Sequence, residues 1–283
     1  MRSRPKRELY NDGAFLGRLG RSFQYFQWPL SIFEESVELR KDSFPLDQKT
    51  KQTKYPIRVL RYWWVICAIN EEIEKLKTSY IIADIGCDRA ILKRLLPPLD
   101  DGHILGMDLR RSLEINREDL KLARYDDVLA CNLNEGVPLS DSSVDILINL
   151  HVLEHLNKPE ATIKEFSRVL RPGGLMLLGF PILPERFARI REKQFAKQLK
   201  AGTRVSGQHQ HAFWTERVRR MVDAAGLNIE FMLGTYFVRK RGAFWENSAL
   251  WMRINQLWGT LFPSLGHELC LKLRKPPTVS DKR

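Results

Sequence analysis

The chain has 283 residues, with 46 Lys and Arg against 34 Asp and Glu, a net charge of +12. Its 43% apolar content can bury one large core, which excludes disorder along the whole length. Four cysteines without a CxxC pair cannot make a disulfide framework, no run approaches the roughly 18 to 20 apolar residues of a membrane span, and the basic N-terminus lacks the apolar stretch of a secretory signal; the expectation is reduced thiols and a cytoplasmic location. The charge is uneven. Residues 1–54 are net +4, residues 55–183 net −3 and residues 184–283 net +11.

Residues 1–54 read as a basic N-terminal extension without a clear period. From Tyr55 the spacing of Ile57, Leu60, Trp64 and either Cys67 or Ala68 predicts a helix of about 20 residues with the charged tail EEIEKLK, its tryptophans packed in the core. YIIADIG then reads as a buried strand, RAILKRLL as a helix stopped by Pro97 and Pro98, and HILGMDL, DVLACNL and VDILINL as further strands. PEATIKEFSRVL is a helix, the turn Arg171 to Gly174 follows, and LMLLGFP is a fifth strand. ERFARIREKQFAKQLKAGTR, residues 185–204, is a basic helix, and TERVRRMVDAAG a helix ending at Gly226. LNIEFML and HELCLKLRK close the series, separated by an apolar helical stripe within Phe244–Phe262. Strands alternating with helices predict an α/β, doubly wound, Rossmann-like sheet. The expected organisation is a core domain over residues 55–275, with substrate-side inserts at 184–212 and 235–264 and a tail at 276–283.

In such sheets the ligand lies beyond the carboxyl ends of the strands. Here the first strand ends in Asp84-Ile-Gly86-Cys87-Asp88-Arg-Ala90. Gly86 permits the sharp turn, and Asp108, 24 residues after Asp84 at the end of strand two, can accept bonds from both ribose hydroxyls. These features point to an adenosine-bearing cofactor. A pyrophosphate would be repelled by Asp88, whereas the sulfonium and ammonium of S-adenosylmethionine would not.

Asp84–Ala90, Asp108, NLNEGVPLSDSSVDILINLHVLEHL and EFSRVLRPGGLMLLGFP together resemble the class I S-adenosylmethionine-dependent methyltransferases of the broad type 11 group. The resemblance covers roughly Tyr80–Phe231 and is most specific from Val144 to Pro181. It implies a seven-stranded sheet with an antiparallel last strand. It also implies cofactor contacts from the Asp84, Gly86, Cys87, Asp88 loop, ribose contacts at Asp108 and Leu109, adenine contacts at Asn132 and Leu133, and Leu150 and His151 near the methionine end. The chain departs from the family at Asp88 and Ala90, where glycine is usual, and at Asn132, where an acid is usual. Asp tolerates φ > 0 better than most residues, and Ala90 is a small change provided its φ is negative. Asn132 can still present a carbonyl oxygen to the adenine amino group.

His151-x-x-Glu154-His155 matches a zinc-protease pattern, but its place after strand four favours the methyltransferase, and Glu154 and His155 are expected to bond within a helix at the sheet edge. No metal is expected. His211, in Gly207-Gln-His209-Gln-His211, and His151 are the candidate bases for taking a proton from a hydroxyl. Methyl transfer needs chiefly in-line placement, so a base is not obligatory. The leading reading is O-methylation of a small, glycan- or lipid-linked acceptor. The alternatives are an RNA methyltransferase, which lacks support from any recognition module or Asn-Pro-Pro-Tyr motif, and a non-catalytic binding protein of the same fold. The positive flank suits an anionic acceptor or a peripheral membrane contact as well as it suits RNA.

Overall fold

A computed structural model describes residues 56–76, 79–96, 99, 101–203, 209–235 and 249–278. The expected extension over residues 1–54 lies outside the described residues, as do the ends of the two inserts and residues 279–283.

The chain begins with helix α1 (Pro56–Ile73), which starts on a proline whose fixed φ suits a first helical turn. Trp64, Val65, Ala68 and Ile69 are buried, as their spacing predicts. The helix stops short of the expected length. Its acidic end is pinned instead to the last strand: Glu71 accepts from Lys272 Nζ at 2.8 Å and Glu72 from Arg274.

Strand β1 (Tyr80–Ile85) leads to the short helix α2 (Ile91–Leu95) and strand β2 (Gly102–Asp108). Helices α3 (Arg110–Ile115) and α4 (Arg117–Ala123), strand β3 (Asp127–Ala130) and strand β4 (Val144–Leu150) follow. β3 is shorter than expected because the chain leaves the sheet at Cys131, where Asn132 and Asn134 form a side-chain-to-backbone turn. After β4 a 3-10 turn (Leu153–His155) replaces the expected helix. Helix α5 (Pro159–Val169) buries Ile163, Phe166 and Val169 on one stripe.

Strand β5 (Leu170–Pro181) absorbs the expected turn: Arg171–Gly174 forms an irregularity within the strand, with Gly173 at φ +77°. Helix α6 (Glu185–Lys200), helix α7 (Thr215–Ala224), strand β6 (Asn228–Thr235), helix α8 (Ala249–Leu261) and strand β7 (Glu268–Arg274) complete the described chain.

The seven strands run in the order β3-β2-β1-β4-β5-β7-β6. β1 to β5 pair in parallel, while β7 is antiparallel to both β5 and β6. This is the doubly wound α/β sheet that the alternation predicts, with its last strand reversed. Helices cover an apolar core that includes Ile82, Ile104, Leu147, Phe166, Phe180, Phe213 and Phe231. β1 and β4 diverge at the carboxyl edge, where Asn149 Nδ2 donates to the Ile85 carbonyl at 2.8 Å. That bond fixes the floor of the cleft beyond the strands.

Candidate cofactor site

A cavity of about 650 Å3 opens at the carboxyl ends of β1, β2 and β4, a size that holds a cofactor-scale molecule. Asp84, Gly86, Cys87, Asp88, Asp108, Leu109, Asn132, Leu133, Leu150 and His151 all stand in its wall. His211 does not line it. Its Nδ1 is 3.5 Å from Glu192 Oε1 and 3.4 Å from Arg217, on the side of α6 and α7.

The loop after β1 is shaped from within. Gly86 has φ +85°, and a Cβ there would stand 2.2 Å from Val152 Cγ2, so the crossing of the two strand ends requires glycine. Asp88 adopts φ 43°, a region Asp tolerates, and its Oδ1 accepts from Asn116 Nδ2 at 3.0 Å. Ala90 corrects the sequence reading: its φ is +57°, not negative. A buried alanine thus takes the left-handed place where the family has glycine, at a cost of about 1–2 kcal/mol.

The loop amides decide what the cavity can hold. Gly86 and Cys87 N–H both donate to the Met107 carbonyl, at 2.7 and 3.1 Å, and Ala90 N–H donates to the Cys87 carbonyl at 2.7 Å. Asp88 N–H donates to Asp108 Oδ2 at 2.8 Å, while Leu109 N–H donates to Oδ1 at 2.7 Å. Four of the loop's donors are therefore spent on the protein, which leaves little to cradle a phosphate.

Charge points the same way. Three carboxylates, Asp84, Asp88 and Asp108, stand in the wall; its two guanidiniums are paired, Arg61 with Glu268 and Arg89 with Asp119. Burial, reinforced by the charge of Asp108, pushes Asp84 up to about 6, although Tyr125 Oη donates to its Oδ2 at 2.6 Å and pulls the other way. Asp108 is also raised, by burial and by Asp88, against the pull of its two amide donors. A cation bound here would lower both. Asn132 is engaged locally, with Oδ1 accepting from Asn134 N–H at 3.2 Å and Nδ2 donating to Glu135 Oε1 at 2.5 Å, so Glu135 brings a carboxylate beside the position where the family has one.

Sequence reasoning missed a network at the other end of the cavity. His151 sits at φ +58°, its Nδ1 3.3 Å from Glu154 and its Nε2 3.3 Å from Glu268. Burial opposes protonation of that ring, but the two carboxylates outweigh it and raise the pKa. Glu268 is buried too, which alone would raise it; Arg61 and His151 hold it at about 2. Arg61 and Glu268 are 207 residues apart, and no sequence pattern joins them.

Glu154 corrects a second expectation. Its side chain is only 1% exposed, yet neither carboxylate oxygen has a hydrogen-bond partner among the described residues. The segment 209–212 is stitched to this turn by backbone: Gln210 N–H donates to the Glu154 carbonyl at 2.6 Å and Gln210 Nε2 to that of His155. One atom each from Glu154, His155 and His209 then lies within 4.8 Å of the others, a spacing a cation could use.

This strand order, with an acidic, amide-poor loop after β1 and a carboxylate closing β2, defines a class I methyltransferase domain. The model of a methyltransferase domain, that of the type 11 family, matches residues 83–178. A probable S-adenosylmethionine-dependent methyltransferase of Mycolicibacterium smegmatis is 46% identical over 61 residues, 21% of this chain and 23% of its own length. The chain thus matches about a quarter of that relative. A ubiquinone biosynthesis O-methyltransferase of Idiomarina loihiensis is 26% identical over 165 residues, 57% of this chain and 67% of that one. The fold is shared with a crystal structure of a putative sarcosine dimethylglycine methyltransferase from Galdieria sulphuraria, at 13% identity and a TM-score of 0.54, covering 86% of this chain and 98% of that one.

Proposed function

We propose that this chain methylates an oxygen of a small, glycan- or lipid-linked acceptor, with S-adenosylmethionine as donor. The observation that carries the reading is the position of His151 in the cavity wall, held between two buried carboxylates. The O-methyltransferase named among the relatives supports the same atom type.

Asp108 would hold the ribose, and Asp84 with the Gly86 loop the cationic end of the cofactor. When bound, S-adenosylmethionine supplies an electrophilic methyl group. The chain's remaining task is to place an acceptor hydroxyl beside that end and to remove its proton. His151 would take that proton: Glu268, itself fixed by Arg61, lies 3.3 Å from its Nε2 and Glu154 3.3 Å from its Nδ1, so both carboxylates favour the imidazolium. The imidazolium so formed gains Glu154 as a partner, which gives that buried carboxylate its role. His211, tied to Glu192 and Arg217, takes no part.

The test is a screen with methyl-labelled donor against phenols, hydroxylated lipids, glycans and RNA. Label released as an alkali-stable ether from a phenol or lipid is the expected result. Label in RNA, or on an amine, would refute the assignment. No heat on titrating millimolar S-adenosylmethionine into the protein would instead favour a non-catalytic binding protein.

A further inference from the structure

Helix α6 is held to the body by one side only. Of its sixteen residues just Ala188 is buried, and Glu192 and Phe195 share that inner side. On the helical wheel Phe187, Ile190 and Gln194 share one stripe of the exposed surface, and Arg186, Lys193 and Lys197 form a cationic stripe beside it, opposite Ala188. Phe187 is 64% exposed and Ile190 54%. A helix that needed only to be solvated would not place these two among its cations.

Both acids of α6 are already paired. Glu185 pairs with Arg189 at 2.6 Å, and Glu192 accepts from Ala212 N–H at 2.6 Å and from Arg217 at 2.9 Å. Arg186, Lys193, Lys197 and Lys200 make no ion pair among the described residues. The outer surface therefore sets an apolar stripe alongside a cationic one. Its place matters as well. Ile182 N–H donates to the His267 carbonyl at 3.0 Å, so the chain entering α6 leaves the sheet beside the half-exposed Phe262 and Leu265.

We propose that the outer side of α6 docks on an anionic phospholipid surface, with Phe187 and Ile190 entering the headgroup boundary and Arg186, Lys193 and Lys197 pairing with phosphates. An interfacial helix likewise turns apolar residues to the acyl boundary beside Lys and Arg that reach the headgroups. RNA fits less well, because Ile190 offers no ring for base stacking and would be set against a phosphodiester backbone. The inference rests on the lipid-linked form of the acceptor proposed above.

The full chain is sedimented with vesicles of phosphatidylcholine alone or with one-quarter phosphatidylglycerol, at low and high salt. Binding to the anionic vesicles, weakened by salt, is expected. The double variant Lys193→Ala/Lys197→Ala should partition about 25-fold less, about fivefold per cation. Phe187→Ser/Ile190→Ser should lose at least tenfold, and both should keep the wild-type affinity for S-adenosylmethionine in calorimetry. Absence of vesicle binding, or variants that bind like the wild type, overturns the proposal. So does binding of RNA in place of vesicles, or a dimer in light scattering that the apolar double variant abolishes. Methyl transfer to oxygen is measured separately and survives any of these failures.

Discussion

Lowering the pH from 7 to 5 should weaken binding of S-adenosylmethionine about tenfold, because binding must ionise Asp84. In the free protein this buried carboxyl titrates near 6, raised from 3.8 by burial and by Asp108. The sulfonium and ammonium of the cofactor stay positive across this range and favour the carboxylate, so protonated protein has to lose its proton first. If the bound pKa falls well below 5, the protonated fraction alone gives a factor of roughly ten between pH 7 and pH 5. The sign for stability is opposite. A carboxyl raised in the folded state stabilises the free protein below its unfolded pKa, and that contribution, about 3 kcal/mol for a shift from 3.8 to about 6, is lost as the pH rises through 6. Calorimetric titrations at several pH values, in buffers of different ionisation enthalpy, measure both affinity and protons released. Asp84→Asn should flatten most of the slope, since its carbonyl oxygen can still accept from Tyr125. A wild-type affinity that does not vary with pH, or a slope that survives Asp84→Asn, would refute the reasoning.

Asp108→Ala removes the acceptor of the Asp88 and Leu109 amides as well as that of the ribose; it should weaken cofactor binding by at least a hundredfold in calorimetry while the far-ultraviolet spectrum stays native. Gly86→Ala places a Cβ 2.2 Å from Val152 Cγ2 at φ +85°, and a melting experiment should show a loss of more than 1 kcal/mol together with weakened cofactor binding. Glu268, held at about 2, contributes about 3 kcal/mol that is present above pH 4.5 and lost as the pH falls through 2; Glu268→Gln should remove most of that acid-sensitive stability in pH-dependent unfolding. With an acceptor in hand, His151→Ala should cut kcat about a hundredfold, His211→Ala should leave it within threefold, and the wild-type kcat should rise with pH through a value above 6.5.

The fold was legible where local chemistry is decisive. VDILINL and YIIADI are apolar runs flanked by turn residues, and each became a buried central strand. Residues of the cofactor wall were legible because the carboxyl ends of β1, β2 and β4 must converge once the strands are parallel. Other features depend on backbone state or on distant residues. Ala90 looked compatible with negative φ because a side-chain-neutral residue carries no mark of its dihedral. The Arg61–Glu268–His151 network joins α1, β7 and the end of β4, and such pairings follow from the sheet order rather than from spacing. Tyr125 beside Asp84, and His209 beside Glu154 and His155, were hidden for the same reason. His211 was singled out for its chemistry, but its ring turns toward Glu192 and Arg217.

The reversed strand imposes an order on synthesis. Among the described residues β6 pairs only with β7, and β7 follows in sequence both strands between which it is inserted. Until it arrives, β5 and β6 each offer a bare edge, Arg61 lacks Glu268, and the basic side chains Lys272 and Arg274 have not reached the end of α1. Most of the cavity wall comes from residues 84–156, which precede β7, whereas Arg61, also in the wall, lacks Glu268 until β7 arrives. The arrival of β7 is therefore the step that completes the Arg61–Glu268–His151 network beside a cavity whose other walls are already made.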